Sequence, residues 1–314
     1  EGLVLSNISV EVGIETVDEW NLTLDACIVS NCSFTGGFLA VDGWTHDVSV
    51  NDCWFSNSSA NGLEGNMIHV LKMSGDLEIS GNMVAGNHMG TLLAVDAPLG
   101  GVVVTGNNLT ANYHNYDLLY LTALGILAEN SVVVSGNEFV DNECQKIDHA
   151  MILVEHPKQN VTVRDNSFTN NTGDGICFST PYSNYATYGS PSFTFSVLQN
   201  DFLDMNGNSI VFKEMDNNNV VVRDNQAVGC LLPVLKMEQS VVSFSDSNHW
   251  GSMVTYLQGP DSLVVRDNDF SGNPGGAMDL QDNGEGSKYS EYSGNPYAEV
   301  VIRDNDLSNS GTSG

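Results

Sequence analysis

The chain is 314 residues long and 41% hydrophobic, and its 39 acidic side chains face only 10 basic ones, for a formal net charge of -29. A field of that sign repels nucleic acid and anionic membranes and disfavours acidic polysaccharides unless a cation bridges them, and no stretch reaches the roughly 20 apolar residues of a membrane span. The acidic surface suits a saline setting, and a start without Met or a signal peptide marks residues 1–314 as an expected single-domain mature or excised piece of a longer extracellular protein.

One phrase, V-x-V-x-x-N-x-F-x-x-N, returns from one end of the chain to the other, and internal repetition outranks any other fold signal. Its first two copies put Cys at the centre, as Cys27-x-Val29-x-x-Cys32-x-Phe34 and Val48-x-Val50-x-x-Cys53-x-Phe55. A copy centred on Asn82 follows, then Val102 to Asn112 around Asn107 and Leu109. Val132 to Asn142 is built on Asn137 and Phe139, and Val161 to Asn171 on Asn166 and Phe168. Further copies centre on Asn200, Asn225, a looser Asn248, Asn268 and Asn305, with intervals of 20 to 37 residues that average about 27.

V-x-V is a short strand with two side chains on one face. The dipeptide before the Asn is often Ser-Gly, Thr-Gly or Arg-Asp, which suits a turn. The Asn then sits at a bend where its amide can bond the Asn of the next coil, as stacked amides do in parallel sheets. The Phe or Leu two residues on points inward again. A second strand follows in most coils, among them Phe38 to Val41, Met67 to Val70, Leu92 to Val95, Met151 to Val154, Ile210 to Phe212 and Met253 to Tyr256. The expected fold is all-β, a right-handed parallel β-helix of roughly eleven coils. The leucine-rich repeat shares part of the phrase, but Val dominates over Leu here, and the segment after the Asn turns strand-like where that fold needs helix or a regular return.

These phrases resemble the parallel β-helix repeats of the pectin-lyase-like superfamily, from about Cys27 to Leu307. The resemblance implies the fold and little about function, because that superfamily spans lyases, hydrolases, epimerases, phage tailspikes, adhesins and passive filament modules. The Gly-His-Gly and Arg-x-Lys of polygalacturonase-like enzymes are missing; Asn87-His88-Met89-Gly90 and Asn248-His249-Trp250 do not match. All four arginines, Arg164, Arg223, Arg266 and Arg303, occupy the same Arg-Asp-Asn turn, where pairing with the neighbouring Asp is the expected role. Lys213 and Lys236 end second strands of neighbouring coils and are expected to stack beside Glu214 and Glu238.

The best acid/base constellation is Asp148, His149, Glu155 and His156 with Asp174 of the next coil; paired carboxylates hydrolyse glycosides at the right separation. No metal motif stands out. The acidic turns at Asp165, Asp224, Asp267 and Asp304 make calcium a possible ligand, since that ion takes several oxygens. Two Tyr-rich insertions, one with Tyr182, Tyr185 and Tyr188 and one with Tyr289, Tyr292 and Tyr297, are candidate glycan or protein contacts. Cys32 and Cys53, read as equivalent positions of consecutive coils, are expected to be stacked or bonded, since parallel neighbours lie about 4.8 Å apart. Sequons begin at Asn7, Asn21, Asn31, Asn57, Asn108, Asn160 and Asn170, with Asn108 and Asn170 expected to face outward.

Three functions follow from this reading. The first is a structural or adhesive module of a secreted or cell-surface protein, partnered by copies of itself, other extracellular proteins or glycans. The second is a polysaccharide lyase or glycoside hydrolase. The third is a non-catalytic glycan-binding module.

Overall fold

A computed structural model of the chain describes residues 3–7, 9–17, 21–42, 46–60, 65–71, 73–96, 100–122, 131–145, 149–155, 160–179, 194–213, 219–238, 241–244, 253–256, 262–280 and 299–310. Each coil starts with the V-x-V strand, and in the eight coils between the first and the last its two apolar positions are buried while the alternate residues face out. Val132–Ser135 shows the pattern, with Val132 and Val134 fully buried. The chain then bends through one residue in the left-handed region. At every first bend from Ala26 to Asp304 that residue has φ between 51° and 64°. Gly accepts this conformation without a Cβ penalty, and Asp and Asn tolerate it better than other residues. This is why Gly81, Gly106, Gly136, Asp165, Asp224, Asp267 and Asp304 fill the position. A three-residue strand follows, then a second left-handed bend five residues after the first, with φ between 49° and 73° from Asn31 to Asn309.

Stacked coils align these pieces into parallel sheets. The V-x-V strands form a ten-stranded sheet from Asn21–Asp25 to Glu299–Arg303. The short strands form a nine-stranded sheet from Val4–Ser6 to Gln226–Val228. The second strands join a fourteen-stranded sheet, in which Ser33–Asp42 runs on from the second bend without interruption. The architecture is a parallel β-solenoid of the kind the resemblance implies. Its crossovers are parallel throughout, an arrangement that is right-handed as a rule.

The interior is layered, because equivalent positions of successive coils carry equivalent side chains. Phe139, Phe168 and Phe202 stack with centroids 4.7 and 4.8 Å apart, and Phe178 lies 5.1 Å from Phe212. At the first bend, Asn82, Asn107, Asn137, Asn166, Asn200, Asn225, Asn268 and Asn305 form one row. Asn137 shows the bonding. It donates from Nδ2 to Asn166 Oδ1 and to the Val104 carbonyl, both at 2.9 Å, while its Oδ1 accepts the Asn107 backbone N–H at 3.0 Å. The amide therefore satisfies backbone groups that a bend leaves unpaired inside the core.

Three sequence-based expectations change. The strand Asn219–Arg223 pairs directly with Ser262–Arg266, so ten V-x-V strands stack rather than the eleven coils expected. The looser copy at Asn248 is not a coil. Asn248 itself lies outside the described residues, and the strands on either side of it, Val241–Phe244 and Met253–Tyr256, pair antiparallel as an excursion from the solenoid. The first copy of the phrase was read five residues late. The register sets Ile28 on Trp54 and Ser33 on Ser59, so Cys27 is the neighbour of Cys53, and Cys32 the neighbour of Ser58. The predicted Cys32–Cys53 pair is therefore out of register. Cys27 and Cys53 stack instead, both with free thiols, and the Cys27 backbone N–H donates to Cys53 Sγ at 3.3 Å.

Candidate functional site

Of the side chains nominated for acid/base chemistry, His149, Glu155 and Asp174 are among the described residues, in or next to neighbouring second strands midway along the solenoid. Ala150–Glu155 and Asp174–Ser179 are adjacent, with Ala150 in register with Asp174 and Glu155 in register with Ser179. Asp174 and Glu155 thus stand at opposite ends of the paired strands, five residues or about 16 Å apart at strand rise. The carboxyl pairs of glycosidases lie roughly 5 to 9.5 Å apart. Asp148, Tyr182, Tyr185, Tyr188, Tyr289, Tyr292 and Tyr297 lie outside the described residues, as does His156.

Asp174 is 3% exposed. Its Oδ1 accepts both the backbone N–H and the Nδ2 of Asn208, in the following coil, at 2.8 Å. Burial pushes the carboxyl up to about 6, against the pull of the Asn208 bonds and of the Lys213 and Lys236 charges. Glu155 accepts the Tyr120 hydroxyl at 2.8 Å. Lys213 and Lys236 do not stack on each other: Lys213 stands in register with Glu238, and Lys236 with Val211 and Asp279.

The sequence reading passed over Asp117 and His114. Asp117 occupies, two coils earlier, the register position of Asp174, about 10 Å away at sheet spacing. Its Oδ1 accepts the Ala150 backbone N–H at 2.6 Å, and its Oδ2 lies 3.6 Å from His149 Nδ1. Asp117 and Asp174 therefore do the same work, each capping a backbone donor of the next coil. Their shared offset ahead of the second strand was the available signal, lost among 39 acidic residues. His114 is fully buried, with Nδ1 on the Tyr116 carbonyl, and desolvation lowers its pKa to about 4.

The arginines behave as expected. Each lies within 2.9 to 3.7 Å of the Asp that follows it in the turn. Among the described residues no group of three or more His, Cys, Asp or Glu side chains is placed to hold a metal ion, and no helix is long and apolar enough to cross a membrane. Among the sequons, Asn7, Asn31, Asn57 and Asn170 are exposed residues in left-handed bends, and Asn21 and Asn160 are exposed as well. Asn108 is half-buried, with Nδ2 donating to Glu138 Oε2 at 2.8 Å.

No protein-family model and no curated protein matches the sequence. Among solved structures, the chain is similar to the catalytic domain of a GH87 alpha-1,3-glucanase in complex with nigerose, with 13% identity and a TM-score of 0.18 over 94% of this chain. The match spans 64% of that domain's chain. At that score it carries no weight, and the fold rests on the strand register.

Proposed function

We propose that the chain is a structural or adhesive β-helix module of a large secreted or cell-surface protein. The observation that carries this reading is what the buried carboxylates do. Asp117 and Asp174 each spend an oxygen on a backbone N–H of the next coil, and at the coil edge Asp47 and Asp76 do the same for Asp76 and Gly101. The acid groups at hand serve to hold coil on coil. Coils so clamped make a rod of ten V-x-V strands, about 43 Å long at sheet spacing. Such a scaffold suits repeated lateral contact with copies of itself or with other extracellular proteins. Electron microscopy of native material isolated without detergent tests the structural reading: regular filaments or fibres are expected, and single short rods overturn assembly as its purpose.

A second reading, a carbohydrate-active enzyme, draws on one feature. Burial holds the Asp174 proton to about pH 6 against the pull of the Lys213 and Lys236 charges, as the site of a general acid does. Release of sugar from neutral or acidic polysaccharides that Asp174→Asn abolishes would favour it over the module.

A further inference from the structure

The short-strand sheet changes character along its length. Its first four strands and the bends after them read Val4-Leu5-Ser6-Asn7, Ile28-Val29-Ser30-Asn31, Trp54-Phe55-Ser56-Asn57 and Met83-Val84-Ala85-Gly86. The register sets Val4 on Ile28, Ile28 on Trp54 and Trp54 on Met83. All four point outward and are 63%, 41%, 50% and 46% exposed. Beside them runs a column of Ser6, Ser30, Ser56 and Ala85, and beyond it the bend column of Asn7, Asn31, Asn57 and Gly86. Ser30 Oγ donates to Ser6 Oγ at 3.2 Å, and Asn7 Nδ2 to Ser6 Oγ at 2.9 Å. None of these sixteen positions carries a charge, in a chain whose net charge is -29. The outward column then turns polar, through Asn108, Glu138, Ser167, Asp201 and Gln226. The nearest acids on these coils are Asp25, which ends the strand before the first bend, and Asp52, which sits in that bend two residues from Trp54.

We infer that this platform binds a neutral glycan chain. Three observations select that partner. The stripe is apolar and lies on one face of a sheet, with an exposed indole, and a sugar ring presents a flat C–H face to an aromatic ring while its hydroxyls reach sideways. The serine hydroxyls and asparagine amides run in columns beside the stripe and offer hydrogen bonds to such sideways groups. The stripe is also small: four strands span about 14 Å, an area on the order of 150 Å², whereas a stable protein interface buries roughly 800 Å² on each partner. A second copy of the chain therefore gains too little here. Finally, an uncharged patch on a strongly acidic protein repels anionic chains, which leaves the neutral ones. The inference gives the adhesive reading a ligand but does not need the module to form filaments, so microscopy and the test below fail independently.

The test is native electrophoresis of the full chain made in bacteria, so that Asn7, Asn31 and Asn57 carry no sugar, in gels cast with soluble glucan, mannan, xylan or polygalacturonate. Retardation is expected in at least one neutral gel and not in polygalacturonate. Trp54→Ala and Met83→Glu should each weaken it about tenfold or more, the factor that goes with losing an aromatic stack or placing a charge in the stripe. Ser167→Ala, on the same sheet but outside the stripe, should leave it unchanged. Thermal melts of the variants report that they fold. No retardation in any neutral gel, retardation that survives both stripe variants, or a Trp54-dependent dimer in sedimentation velocity would each overturn the inference.

Discussion

At the first bend of each coil the amide row runs without a break from Asn82 to Asn305, whereas at the second it stops at Asn171, gives way to Met205 and Cys230, and resumes at Asn273. Within either unbroken stretch an amide has the same partners: the carbonyl behind, the oxygen ahead, and the backbone N–H before it. Where the second row stops, Asn171 Nδ2 still donates to the Phe139 carbonyl at 2.8 Å, but its forward partner is the Met205 thioether at 3.8 Å, a weak acceptor. A buried amide thus stabilises a coil in proportion to what its neighbours offer.

The first bend should therefore be the more sensitive to substitution. Asn137→Ala leaves the Val104 carbonyl, the Asn107 backbone N–H and both neighbouring amides short of a partner, all buried. Each stranded group costs on the order of 1 to 3 kcal/mol, so a loss of about 4 kcal/mol is expected in urea unfolding. Because coils contact only their neighbours, the melt should also split into two steps as the halves uncouple. A single transition displaced by less than about 1 kcal/mol would mean that the row is incidental to stability.

The second bend offers a pH test. His114 lies two residues past Asn112, in register with Met89 of the preceding coil, where burial lowers its pKa from 6.5 to about 4. A depressed base contributes its full stability above pH 6.5 and loses it as pH falls toward 4. The loss is about 3 kcal/mol at 1.36 kcal/mol per pH unit. His114→Met, which copies the neighbouring coil, should remove that acid sensitivity. Asp174 works in the opposite sense. Its raised pKa, about 6 against 3.8, means stability that is present below pH 3.8 and is lost as pH rises through 6. Asp174→Asn keeps an oxygen for Asn208 and should gain on the wild type above pH 6. Urea midpoints from pH 4 to 8 for the two variants resolve contributions that offset each other in the native chain.

The two bends also explain what the sequence made legible. The V-x-V strands, the Gly and Asp of the left-handed bends and the stacked Phe rows were all readable, because each is a local demand met by few residue types. The misreading of Cys32 for Cys27 came from the repeat itself. Its two rows lie five residues apart, as Asn107 and Asn112 do, so a copy with Cys in both places fits the phrase in either frame. The hairpin at Val241–Phe244 and Met253–Tyr256 was hidden by the 43-residue step from Asn225 to Asn268, which a looser phrase at Asn248 seemed to fill. Asp117 could not be told from its many acidic neighbours until the register placed it against the Ala150 N–H. The outward stripe of Val4, Ile28, Trp54 and Met83 escaped notice because a search for buried positions passes over the residues between them.

The smallest expected effect lies where the first row begins. Cys27 and Cys53 hold its first two places, and Cys53 already acts as a poor amide: its sulfur accepts the Cys27 N–H at 3.3 Å and lies 3.8 Å from the Leu24 carbonyl. These are the two partners that Asn82 serves one coil later, where its oxygen takes the Cys53 N–H and its Nδ2 donates to the Val50 carbonyl, at 2.9 and 2.8 Å. Burial also pushes the Cys53 thiol up to about 12, so it offers a neutral sulfur at any ordinary pH. Cys53→Asn should exchange two weak contacts for two amide hydrogen bonds and extend the row by one coil. A gain of about 1 kcal/mol is expected, the net worth of a typical intramolecular hydrogen bond. A comparable loss on thermal melting would show that the first coils are set by thiol packing, and that the amide row begins at Asn82 because the coils before it leave no room for it.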